Sequence, residues 1–97
     1  MPIFVLLPQN ETAQQILPLA VMRAYPDAHK KLANHNWLVA GKGTAQDVSA
    51  NLGITSPTDP AANAVGTVMV VEIASYYGRA TADIWDWVKA KWEATGG

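Results

Sequence analysis

Gly41-Lys42-Gly43-Thr44 is the stretch best suited to bind a ligand. It falls between a run of β-formers and a helical pattern. Backbone amides at such a helix start attract anions, and Lys42 adds a positive charge. The Gly-x-x-x-x-Gly-Lys-Ser/Thr spacing of a phosphate loop is absent, so the same four residues also read as a tight turn feeding a capped helix. Gln9 and Asn10 follow the first strand. Taking that strand to run parallel to the one before Gly41 places Gln9 and Asn10 at the same end of the sheet as Gly41 to Thr44. A small-anion or nucleotide site, in an enzyme or a sensor, would use all six residues.

Other candidate groups are dispersed. Tyr76-Tyr77-Gly78-Arg79 offers two rings and a guanidinium to a planar or anionic partner. Alternatively the rings pack inward and Arg79 pairs with Asp83. His29 and His35 are the only histidines, and neither stands at a metal-ligand spacing. Ser49, Ser56 and Ser75 lack a nucleophile-elbow context. The carboxylates Glu11, Asp27, Asp47, Asp59, Glu72, Asp83, Asp86 and Glu93 are scattered along the chain. Glu72 stands out as a charge closing an apolar strand, expected at its exposed end. The residues thus indicate no catalytic group, metal or cofactor.

Composition narrows the classes further. The 97 residues fit one domain. Hydrophobic residues make up 49% and charged residues 15%, a balance opposite to that of disordered chains. The net charge of −1, with no basic block beyond Lys30-Lys31, withholds the electrostatic footprint that nucleic acid requires. Cysteine is absent. No apolar run approaches a membrane span, and Met1 to Pro8 has no basic segment before its apolar run, so the expected setting is cytoplasmic and membrane-free.

The elements that would position these groups follow from periodicity. Ile3–Leu7 is a strand apolar on both faces, closed by Pro8. Asn10 caps a helix whose inward stripe is Ile16, Leu17, Ala20, Val21 and Ala24, interrupted by Pro18, which either kinks that helix or opens it. Residues 28–32 form a weak, lysine-guarded edge strand, turned at Asn34-His35-Asn36 into the strand Trp37–Ala40. Thr44 and Asp47 spell a capping box for a helix over 45–52, stopped by Gly53. A loop spans 55–66, and Thr67–Ile73 is the strongest strand. A last helix covers about 82–94, with Ile84, Trp85, Val88 and Trp92 on one face.

This order is the βαββαβ plan of a ferredoxin-like α+β fold with an added C-terminal helix, the alternative being a small three-layer α/β fold. Three strands apolar on both faces demand a cover on each side of the sheet. The last helix or a second subunit would supply the second cover. Low charge and this doubled apolarity point to a non-enzymatic binding or self-associating module, a homodimer or a subunit of a larger assembly. Tyr76, Tyr77, Arg79 and above all Trp87 are the candidate partner contacts.

Two groups of motifs carry a family resemblance. Trp37-Leu38-Val39, Gly43-Thr44-Ala45 and Leu52-Gly53-Ile54 form one; Ser75-Tyr76-Tyr77-Gly78-Arg79-Ala80 and Ile84-Trp85-Asp86-Trp87 form the other. Together they resemble an uncharacterised family of small bacterial proteins, which implies a bacterial origin and no particular activity. The plan is also similar to the small ferredoxin-like nucleases of CRISPR adaptation. Those carry an acidic residue at the end of the first strand. Pro8-Gln9-Asn10 stands there instead, with Glu11 the nearest acid, which opposes metal-dependent nuclease chemistry.

Overall fold

A computed structural model of the chain describes residues 2–55, 65–74 and 82–93. Among them the order is β1 (Ile3–Pro8), α1 (Glu11–Ala24), β2 (His29–Lys31), β3 (Trp37–Ala40), α2 (Ala45–Leu52), β4 (Val68–Glu72) and α3 (Ala82–Glu93). The four strands make one sheet in the order β2-β3-β1-β4, and every neighbouring pair is antiparallel. This is the ferredoxin-like βαββαβ arrangement with a helix added at the end. The weak segment at 28–32 is a real edge strand of three residues.

Alternation along β1 divides the core in two. Phe4 and Leu6 face α1 and α2, together with Trp37 and Val39 of β3, and they pack with Leu17, Val21, Val48 and Leu52. Ile3 and Val5 face the other way with Leu38 and Ala40, and there they meet Val88, Ile84, Trp87 and Trp92 of α3. The chain's own last helix therefore covers the part of the second face formed by β1 and β3. Lys30 Nζ on β2 lies 2.6 Å from Asp83 Oδ2 on α3, and Lys91 Nζ donates to the Asp27 carbonyl at 3.4 Å. Both links tether α3 toward the β2 side. Asp83 pairs with Lys30, and Arg79, the partner expected from the sequence, lies outside the described residues.

Local signals explain the helices. The Asn10 side chain accepts from Ala13 N at 2.8 Å and starts α1. The helix runs from Glu11 through Pro18, so the proline does not open it. Burial of Leu17, Ala20 and Val21 on the sheet offsets the hydrogen bond that Pro18 cannot donate. In α2 the box is complete: Asp47 N donates to Thr44 Oγ1, and Thr44 N donates to Asp47 Oδ2. Gly53, at φ +79°, ends that helix in the left-handed region.

Candidate functional site

The antiparallel register separates the two halves of the expected anion site. Ile3 lies opposite Ala40 and Leu6 opposite Trp37, so the end of β3 meets the start of β1. Gly41 N donates to Pro2 O at 3.1 Å, while Gln9 N donates to Thr67 O at 2.8 Å beyond the other end of β1. At about 3.4 Å per residue along β1, roughly 24 Å divides Gln9 from Gly41. The expectation that these loops share one end is thereby corrected. In a split βαββαβ sheet a helix crossover makes β1 parallel to β2 and β3 parallel to β4. β1 and β3, as adjacent strands, run opposite ways.

Neither half is left poised for an anion. The Thr44 amide is occupied by the Asp47 carboxylate at 2.9 Å, and the Thr44 hydroxyl lies 3.2 Å from the same oxygen. A second negative charge there would meet the first. Lys42 and Gly43 are exposed. Asn10 is spent on its cap, and Gln9 Nε2 donates locally to Leu7 O at 2.9 Å.

The aromatic candidates divide as well. Trp87, the leading candidate for a partner contact, is half-buried and packs one side against the second core. The alternation of α3 turns Ile84, Trp87, Val88 and Trp92 toward the sheet together. Trp85, expected inward, is half-buried outside that cluster. Tyr76, Tyr77 and Arg79 lie outside the described residues.

The histidines have local duties. His29 Nδ1 lies 2.6 Å from Tyr25 O, and since a carbonyl only accepts, Nδ1 carries the proton. Its ring is tilted against Trp37 at 5.8 Å. His35 stands exposed in the β2–β3 turn with φ +66°, next to Asn34 at φ +59°. Tyr25 closes the base of the first core. Its hydroxyl accepts from Asn51 Nδ2 at 3.3 Å, and Gly41 lies close to the Cε1 atom of its ring. Among the described residues, no three of His, Asp or Glu gather as metal ligands. No helix there is long and apolar enough to cross a membrane.

The surface that the sequence did not single out is β4. It is an edge strand, paired with β1 alone among the described residues. Val68 and Val70 turn toward the first core. Met69 and Val71 turn the other way, beside Leu7 and Val5, and remain 54% and 40% exposed. The cover that α3 lays over the second face therefore stops short of β4, against the expectation of full burial on both sides. The two sheet edges also differ in kind. β2 is short and carries Lys30 and Lys31, the usual guards of an open edge, whereas β4 is five residues with one charge, Glu72, at its end.

The hydrogen-bond pattern gives the polarity of that edge. Ile73 N donates to Ile3 O and Gln9 N to Thr67 O, so the odd-numbered residues of this strand bond to β1. By antiparallel alternation, the N–H and C=O of Val68, Val70 and Glu72 point away from β1. Comparison with protein-family models, curated proteins and solved structures finds no match to this chain.

Proposed function

We propose that this chain is a non-enzymatic binding module whose docking element is the outer edge of β4, which takes up an extended strand. The observation that carries this reading is the contrast between the two edges. β2 is guarded by lysines, while β4 presents outward backbone groups and an apolar stripe of Met69, Val71 and Leu7. Strand addition draws affinity from main-chain hydrogen bonds and selectivity from alternate side chains, and β4 offers both. The absence of an assembled polar site at Gln9, Asn10 or Gly41 to Thr44 directs the reading away from chemistry on a small molecule. The cytoplasmic setting, and kinship with the small bacterial family resembled by the Trp37 to Trp87 motifs, belong to the same proposal.

Amide hydrogen exchange at dilutions where the particle holds one copy tests it. The Val68, Val70 and Glu72 amides should exchange orders of magnitude faster than those of Met69, Val71 and Ile73, which bond to β1. Slow exchange at Val68 and Val70 in a single-copy particle would mean that the chain closes its own edge, and the reading would fall.

A further inference from the structure

We infer that the strand accepted by β4 is the β4 of a second copy, paired antiparallel about a two-fold axis through Val70. This rests on the strand-addition reading and adds to it a partner and a register. A two-fold interface brings the same patch from both copies together, so the patch must complement itself. β4 does so. With Val70 opposite its own counterpart, all five residues from Val68 to Glu72 overlap.

Outward residues then meet outward residues: Val70 with Val70, and Val68 with Glu72 of the other copy. Each both donates and accepts, as a hydrogen-bonded antiparallel pair requires. On the α3 side, Met69 of one copy lies opposite Val71 of the other, which covers the two exposed apolar side chains of the strand with each other.

Charge supports the same register. Glu72 is the one charge on the strand and falls opposite Val68, not opposite itself. The two Glu72 residues end up about 14 Å apart along the strands, at about 3.4 Å per residue, which exceeds the ~8 Å screening length of physiological salt. Lys31, the exposed lysine that would repel a second copy, sits on the far edge of the sheet. One strand pair with two apolar side chains from each copy lies at the small end of interface sizes, below about 1,200 Å², so the dimer should dissociate in the micromolar range.

The test exploits a chain without cysteine, in which any engineered disulfide must join two copies. Paired across the axis, the Val70 Cα atoms would stand about 5.5 Å apart, inside the ~4.4–6.8 Å that a disulfide spans. Val70→Cys, oxidised at concentrations where the wild type sediments as a dimer, should run predominantly as a cross-linked dimer that reductant reverses. Leu19→Cys, on the exposed outer face of α1, should not. Because Val70 touches the first core, a second measurement uses exposed positions. Mixed Met69→Cys and Val71→Cys proteins should cross-link better than either alone, since these residues would face each other at about 4.5 Å.

A wild type that dimerises but cross-links through Leu19→Cys and not through β4 overturns the inference. A wild type that stays single-copy at hundreds of micromolar overturns it too. Fast exchange at Val68, Val70 and Glu72 would then leave the strand-addition reading standing, whereas slow exchange would remove both.

Discussion

Val88→Ala measures how firmly α3 belongs to this fold. Val88 is 3% exposed and sits among Ile3, Leu38 and Ala40, the centre of the second core. The substitution deletes two methyl-sized groups at about 0.8 kcal/mol each, or about 1.6 kcal/mol of lost transfer free energy. A cavity term adds to this, because the sheet beneath cannot collapse into the space, and the total comes to about 2 kcal/mol. For a domain of this size that lowers the melting temperature by about 8–16 °C. The assay is urea and thermal unfolding followed by circular dichroism at dilutions where the particle holds one copy, with Val71→Ala as control. Val71 is 40% exposed on the same sheet face, and its truncation should stay within about 0.5 kcal/mol of wild type. If Val88→Ala were equally silent, α3 would not be seated on Ile3 and Leu38, and the two-core description would be wrong.

Two further substitutions test the frame around the first core. In Gly41→Ala the new Cβ would stand 2.9 Å from Cε1 of the buried Tyr25 ring, whose hydroxyl is held by Asn51, so the variant should lose about 1–2 kcal/mol in urea titration. Thr44→Ala removes half of the capping box and should cost about 1 kcal/mol by the same measurement, with the α2 amides exchanging faster.

Most of the elements are legible in the sequence because their signals are local. Thr44 with Asp47 and Gly53 delimit α2 to the residue, and Asn10 marks the start of α1. Trp37–Ala40 is a strand as read, and Glu72 is exposed at the end of β4 as expected. Pro18 is ambiguous in sequence because its cost is local while its compensation, burial of Leu17 and Val21 on the sheet, is tertiary. His35 in a left-handed turn carries no such signal, since Asn34 is the residue whose type announces it.

The candidate site was less legible. Its two loops fall together only if β1 and β3 run parallel, and direction depends on which strand lies between which, a property no window of residues contains. The tryptophans misled for a related reason. A helical stripe separates inward from outward residues only once the helix's rotation on the sheet is known, and α3 turns Trp87 in where Trp85 was expected. The sequence of β4 predicts burial on both faces because an apolar run reports what a strand could cover, not how far a neighbouring helix extends. The available clue was the missing guard. Val68–Glu72 has no lysine or proline, and the β2 edge shows what a protected one looks like.

The two-sided apolarity of β1 has a consequence for how the chain finds its native pairing. In a sheet with one wet face, sliding a strand by one residue throws its oily side chains into water, and that penalty fixes the alignment. Sliding β1 by one residue would merely exchange Ile3 and Val5 for Phe4 and Leu6, one greasy set for another. Correct alignment must therefore be enforced from the strand's ends, where Gly41 clasps Pro2, Gln9 clasps Thr67 and the Asn10 cap fixes where α1 begins. These small polar fastenings, rather than the grease between them, keep the central strand from settling one notch out of place.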